Sequence, residues 1–423
     1  MVLKNITVSG YKSYAEAVCM PVKPLTLLYG QNSTGKSSLM RLLPLIYETL
    51  SNPGPSPLTL TRALTKSASF SDLFSKYRSD GVIEIALEFE SNGNECNKIY
   101  YKFKNLERNR AVLMVFGYSN PAIDYNVELD ITSIEEIDGG PLRYLKKAGD
   151  RQIVQLIFSG LIPMAIADAD EETLVTASNV SKLLGSIRCY WLAPLRSGVP
   201  RICRVAGDVS SVGPFGEGCV DILFEELQTN SQVLNDVSNW FEANCSASLQ
   251  VVPGAHEFGT LAGLALVRRG ETAVRIPLED CGEGITQVLP VLVLTALAKH
   301  GRLGFNPIIV FEHPDLHLHS NIHYNVVEFI VAAAKSKFAP SFLIESHAES
   351  MLVSAQLHLS GKQLLPEQLA AIHVRETDLG TSTIESVKFD STGAAAGNHA
   401  DLNWFDQTNF RALALAKSMV GLQ

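Results

Sequence analysis

The 423-residue chain is short of cysteine, of charge and of long apolar runs. Its seven cysteines are scattered and odd in number, with no C-x-x-C pair. That argues against a disulfide framework or a zinc knuckle, and a reducing cytoplasm is the expected home. No stretch approaches the roughly 18 consecutive apolar residues of a membrane span, so no integral transporter is expected. Residues 1–20 carry Lys4, Lys12 and Glu16 and lack a signal-peptide core. There are no sustained heptads, hence no coiled coil, and no internal repeat or low-complexity tract. With 35 Lys and Arg against 44 Asp and Glu, the net charge of -9 speaks against a wholly basic nucleic-acid binder but not against a local basic patch. What is present, 46% hydrophobic and 19% charged residues, suits a globular protein of two domains, or one large domain with insertions.

Gly30-Gln31-Asn32-Ser33-Thr34-Gly35-Lys36-Ser37-Ser38 fits the phosphate-binding pattern G-x-x-x-x-G-K-[ST]. The apolar run Leu25–Tyr29 before it reads as a buried strand. After it, Leu39, Leu42, Leu43, Ile46 and Leu50 recur at helical spacing. Strand, glycine loop and helix point backbone N–H groups and a helix N-terminus at a phosphate chain. Lys36 would reach the β- and γ-phosphates of ATP, and the Ser37 hydroxyl would ligate Mg²⁺.

A second set of residues completes a nucleotide site. Asn306–Glu312 is an apolar strand ending in a carboxylate, the group a P-loop enzyme needs to organise Mg²⁺. Ser341–His347 is another such strand, and strand ends of this kind converge on the ligand crevice of an α/β sheet. Between them and the P-loop, Gly282-Glu283-Gly284 opens a helical run and offers a second helix N-terminus.

The remaining chain gives a coarse organisation. Residues 1–135 read as an N-terminal lobe in which Ile83, Ile85, Leu87 and Phe89 alternate with Glu84, Glu88 and Glu90 as a half-buried antiparallel strand. Residues 136–190 read as a small helical insertion, from Ile153, Leu156, Ile157 and Leu161, and from Val180, Leu183, Leu184 and Ile187. Residues 191–423 alternate strands and helices as in a parallel sheet. One helix is expected over Val220–Glu242 and a last one over Phe410–Val420, with a loop at Gly393–Asn398.

Taken together the chain resembles the ATP-binding-cassette-type ATPases grouped with the structural-maintenance-of-chromosomes and overcoming-lysogenization-defect proteins. It is most similar to their compact, nuclease-free bacterial branch, several members of which serve anti-phage defence. The likeness runs through Gly10-Tyr11-Lys12-Ser13-Tyr14, the Walker A loop Gly30–Ser38, Ser69–Leu73, Ala193–Arg196 and Val212–Glu217. It continues through the signature-like Asp280–Gln287, the Walker B run Glu312–His319 and the switch-type Glu345-Ser346-His347. The resemblance implies an α/β P-loop head with an antiparallel lobe and a parallel-sheet core. It implies a homodimer, or an assembly of dimers, closed around two ATP molecules. Lys36 and Ser37 of one copy would then face Gly282, Glu283 and Gly284 of the other. It implies that Glu312 organises Mg²⁺ and that His347 senses the γ-phosphate. His313 stands where relatives carry Glu or Gln, Asp315 replaces Glu and Ser320 replaces Pro, so His313 becomes the candidate base and turnover is expected to be slow.

Other features carry bland alternatives. His313, His317, His319 and His323 have the spacing of a metal cluster, but a Walker B run of this family is itself rich in histidine. Asp168-Ala169-Asp170 is expected to be a solvated loop or helix start rather than a nuclease site. Arg196 is read either as a nucleotide or partner contact or as a structural ion pair. Arg143, Lys146, Lys147 and Arg151 are read as an exposed basic face, or as a DNA or partner contact. The chain stops shortly after Trp404-Phe405-Asp406, so effector chemistry, such as a nuclease, is expected in a separate protein. The alternatives are a DNA repair or recombination ATPase that clamps DNA as a dimer, and a non-hydrolysing scaffold.

Overall fold

The computed structural model describes residues 1–395 except 55, 92–94, 107–109, 131–142, 147–151, 166–168, 208, 230, 257–258 and 269–273. Asp168, Lys147, Arg151, the loop beyond residue 395, Trp404–Asp406 and the helix expected at Phe410–Val420 lie outside the described residues.

The described residues form a mixed α/β structure with three sheets. The central six-stranded sheet has the spatial order Cys189–Leu192, Ile308–Glu312, Ser341–Glu345, Leu25–Gly30, Leu369–Glu376, Ser382–Val387. Its first five strands are parallel and the last is antiparallel. Ile308–Glu312 is buried along its whole length, which is why the sequence there is an unbroken apolar run instead of an alternation. The helices Lys36–Ser51, Glu283–Lys299 and Ser320–Ala334 supply apolar residues to the two cores on either side of this sheet. Register decides the site. Leu28 pairs with Glu345, and Glu345 pairs with Glu312, so the P-loop and both acidic strand ends emerge at one level.

The second sheet is antiparallel and nine-stranded among the described residues. Val82–Glu90 behaves as its alternation requires, with Ile83, Ile85, Leu87 and Phe89 buried. On its polar face Glu84 and Glu88 lie directly opposite Lys102 and Lys98 and pair with them at 3.5 and 3.3 Å. Such half-exposed cross-strand pairs fix register more than they stabilise. A smaller sheet of Cys203–Arg204, Gly259–Arg268, Ala247–His256 and Arg275–Pro277 packs with the helices Cys219–Gln228 and Gln232–Cys245. The single helix expected over Val220–Glu242 is thus two, the second capped by the Ser231 hydroxyl, which accepts from the Val233 N–H at 3.1 Å.

The helical reading of residues 136–190 needs correction. Arg143–Lys146, Gln152–Ser159 and Ile162–Ala165 are strands that continue the large antiparallel sheet. Ile153, Leu156 and Ile157 match a helical period, but a short apolar run matches both periods, and pairing partners settle it. Val154 and Leu156 point into the core, whereas Ile153 and Ile157 are 57% and 39% exposed. Phe158 packs edge-on against Phe116 and Tyr144, with centroids 5.3 and 5.6 Å away. Among the described residues of this stretch the helix is Glu171–Gly185, which carries Val180, Leu183 and Leu184 as expected and is begun by Asp170, whose carboxylate accepts from the Thr173 N–H at 2.7 Å. Asp170 is therefore a helix start. Lys146 is buried and bonds Asp170 and Glu172, so it is not part of an exposed basic face.

The strand geometry predicts an asymmetric pair of truncations. Leu156→Ala should cost about 2–5 kcal/mol in urea unfolding, and Ile153→Ala should stay within about 0.5 kcal/mol. Equal costs would restore the helical arrangement, in which both residues share the buried face.

Candidate functional site: a P-loop cleft with two buried carboxylates

The loop after Leu25–Gly30 turns back tightly, with Gly30, Ser33 and Gly35 at φ 148, 66 and 96. Gly35 has no substitute here. A Cβ on it would lie 2.5 Å from Ser13 Oγ and 2.8 Å from Ser382 Oγ. Those neighbours brace the loop from outside. The Tyr14 hydroxyl donates to the Gly35 carbonyl at 3.0 Å, and the Ser382 hydroxyl to the Thr34 carbonyl at 2.6 Å. Inside, the Thr34 hydroxyl donates to the Gln31 carbonyl at 3.0 Å. Lys36, only 3% exposed, donates its ammonium to the carbonyls of Gly30 and Gln31 at 3.0 and 2.6 Å.

The loop floors a cleft of about 690 Å³. Asn32, Ser33, Gly35, Lys36, Ser37 and Ser38 line it, together with His313, Glu345 and His347. Lys12, Ser13, Asp72, Phe74, Lys76 and Tyr77 also line it. Sequence reasoning passed over Phe74, Lys76 and Tyr77. Lys12, Ser13 and Asp72 lay within segments noted for resemblance, but nothing in the local pattern aimed them at the Gly30–Ser38 loop.

The two strand-end carboxylates have different surroundings. Glu312, fully buried, accepts from Arg41 Nε (2.7 Å) and Trp191 Nε1 (2.7 Å) on Oε1, and from Arg41 Nη2 (2.6 Å) on Oε2. The Arg41 guanidinium also lies 5.6 Å from the Trp191 ring centroid. Glu312 is thus at the strand end where it was expected, but it does not line the cleft. Glu345 does. Ser37 Oγ donates to its Oε1 at 2.8 Å, and His313 Nε2 lies 3.8 Å from the same oxygen. Its Oε2 is buried and has no hydrogen-bond partner. Burial, and next the charge of Glu312, push the Glu345 carboxyl up to about 7. An orphaned carboxylate oxygen beside a serine hydroxyl is a set of hard oxygen donors that fits Mg²⁺.

His313 sits at φ 48, held by its N–H donating to the Glu345 carbonyl at 2.9 Å. Its ring stacks on His347, with centroids 4.9 Å apart and planes at 16°. Burial first lowers the pKa of both imidazoles, that of His313 to about 4, so His313 is neutral at neutral pH. The other histidines diverge. His317 approaches the exposed Glu283 at 3.5 Å, His319 caps the helix Ser320–Ala334, and His323 meets the Ser350 hydroxyl at 2.6 Å. Among the described residues no group of three His, Cys, Asp or Glu is placed to hold a metal ion.

Arg196 is a structural clamp. Buried, it donates to the carbonyls of Gln287 (3.1 Å), Glu312 (2.8 Å) and His313 (3.2 Å). The Gln287 side chain answers by bonding the Arg196 backbone. This ties the helix Glu283–Lys299 to the acidic strand. At that helix's start Gly282 is exposed with open space beside it, whereas a Cβ on Gly284 would meet the His317 carbonyl at 2.5 Å. None of Gly282, Glu283 and Gly284 lines the cleft of its own chain.

The environment of Glu312 predicts that Arg41→Ala, which strips a buried carboxylate of its cation, costs about 3–5 kcal/mol in urea unfolding. A variant as stable as wild type would show that the pair is dispensable.

Comparison with known proteins fits this geometry. Residues 1–135 match the AAA ATPase domain family. No curated protein matches the chain. Among solved structures, the chain is similar to the SmcHead bound to the C-winged helix domain of ScpA, at 15% identity and a TM-score of 0.51, over 92% of this chain and 98% of that one. It is also similar to the Smc head domain with an extended coiled coil bound to the C-terminal domain of ScpA, derived from Pyrococcus furiosus. There the identity is 14% and the TM-score 0.50, over 92% of this chain and 96% of that one. Residues 1–135 thus match an AAA ATPase domain, and the described residues share the fold of an SMC head.

Proposed function

We propose that the chain is an ATP-operated switch in a bacterial anti-phage defence system, working with a separate effector protein, a nuclease in the simplest form. Two copies close head to tail around two Mg·ATP, and slow hydrolysis reopens them. The observation that carries the dimer is the division of the site. Lys36, Ser37, His313 and His347 face one cleft, and the free helix N-terminus at Gly282 lies outside it in the same chain. A second copy is the natural source of that N-terminus. The similar SMC heads are bound to domains of ScpA, which supports a protein partner docking on this head as well. The defence setting rests on the resemblance of the motif series. The head-like fold also favours a second reading, a dimeric DNA clamp in repair or recombination.

In this reading Lys36 leaves the carbonyls of Gly30 and Gln31 for the β- and γ-phosphates, and the loop amides from Ser33 to Ser37 cradle them. Ser37 contributes its hydroxyl to Mg²⁺, which when bound neutralises developing phosphate charge. His347 touches the γ-phosphate. Neutral His313 accepts the proton of the attacking water, but an imidazole held near 4 is a weak base, and the step is slow.

Three measurements test this. Expressed with its gene neighbours, the wild type should lower phage plating and Lys36→Ala should not. Protection that is independent of Lys36, or a recombination defect in its place, would overturn the defence reading. Steady-state turnover should lie below about 10 s⁻¹, and His313→Glu should raise it at least about tenfold. A fast wild type would refute the role given to His313. Gly282→Arg should keep ATP binding to single chains while abolishing ATP-dependent dimers in light scattering. A wild type that hydrolyses ATP as a strict monomer would refute the composite site.

A further inference from the structure

We propose that Glu345, at the end of the switch strand, is the carboxylate that holds Mg²⁺ with Ser37, and that Glu312, at the end of the Walker B strand, is structural. This rests on the ATP-binding reading above and assigns the metal to a different strand from the one the motif order suggests.

Three observations carry it. First, Glu312 has no capacity to spare. Its two oxygens already take three N–H donors, two from the Arg41 guanidinium and one from the Trp191 indole, all at 2.6–2.7 Å. Ligation of a cation there would set Mg²⁺ against Arg41 and would leave the indole N–H unpaired in a buried place. Second, Glu345 is built the opposite way. It is 2% exposed, yet it lines the cleft, and its Oε2 is buried without a partner. A buried carboxylate oxygen left bare is costly unless something charged completes it. Third, the hydrogen bond from Ser37 Oγ to Glu345 Oε1, at 2.8 Å, already joins the serine whose oxygen is the expected metal ligand to this carboxylate and not to Glu312. Hard oxygens converging on one point suit Mg²⁺, which binds through one or two carboxylates and the substrate's phosphates. The pairing of Glu345 with Glu312 across adjacent strands explains how the exchange of roles is possible. The two carboxylates occupy neighbouring positions at the same level of the sheet, and Arg41 chooses between them.

Mn²⁺ serves as the probe, followed by its electron paramagnetic resonance with and without a non-hydrolysable ATP analogue, alongside analogue affinity in EDTA. Glu345→Gln should weaken Mn²⁺ binding at least about tenfold while leaving analogue affinity in EDTA unchanged or tighter. Glu345→Asp should recover part of the loss. Glu312→Gln should change Mn²⁺ affinity by less than about tenfold and lower thermal stability instead. Should Glu312→Gln abolish Mn²⁺ binding while Glu345→Gln retains it, or should wild type hold no Mn²⁺ in either state, the assignment is overturned. Lys36→Ala separates the two levels. Wild-type protein that binds no analogue in EDTA, or binds it equally after Lys36→Ala, sinks the ATP-binding reading, whereas the order of the two glutamate variants in Mn²⁺ binding decides the metal assignment alone.

Discussion

Two glutamates end adjacent parallel strands in register, side by side and both buried. Like charges so placed cannot both remain bare, and the structure around them answers that repulsion unequally. Arg41, projecting from the P-loop helix, reaches Glu312 with both arms of its guanidinium, and Trp191 adds a third donor from the next strand. Glu345 is left with the Ser37 hydroxyl and a pKa raised to about 7. The pair thus ties three elements together: the P-loop helix, the strand Ile308–Glu312 and its sheet neighbour Cys189–Leu192. Arg196 extends the connection to the helix Glu283–Lys299 through the carbonyls of Glu312, His313 and Gln287. The Gly30–Ser38 loop thus has a short, polar route to the start of the helix Glu283–Lys299.

The phosphate loop is held in a satisfied state of its own. Lys36 spends its ammonium on two loop carbonyls, and Ser37 spends its hydroxyl on Glu345. In the proposed reading, phosphates and metal would compete with these internal bonds, and binding would reorganise the loop instead of filling a rigid mould. The stacked, uncharged rings of His313 and His347 fit the same economy. They can lie 4.9 Å apart because neither is a cation.

Much of this was legible in the letters. The tight turn at Gly30–Ser38 declared itself because the pattern places glycines where φ is positive. The strands ending in Glu312 and Glu345 were visible as apolar runs closed by an acid. The partners of those acids were not. Arg41 sits in an ordinary helical repeat and Trp191 in an ordinary strand, and only register and helix phase bring them to Glu312. The region around Ile153 misled for a different reason. Eight residues with apolar side chains on both faces fit either period, and it is pairing with the short flanking strands Arg143–Lys146 and Ile162–Ala165 that decides the matter. Lys146, read as surface charge, is buried because Asp170 and Glu172 at the next helix start neutralise it.

The strand that launches the P-loop has its two neighbours far away along the chain. Leu25–Gly30 lies between Ser341–Glu345 and Leu369–Glu376, and the loop itself is braced by Ser382. The 135 residues that match the ATPase family contain the loop but neither adjoining strand. Cut out alone they would leave the strand that launches the loop with both edges bare. On the ribosome the same topology sets a timetable. The antiparallel lobe has its partners early, while the phosphate loop waits for more than three hundred further residues before its sheet closes around it.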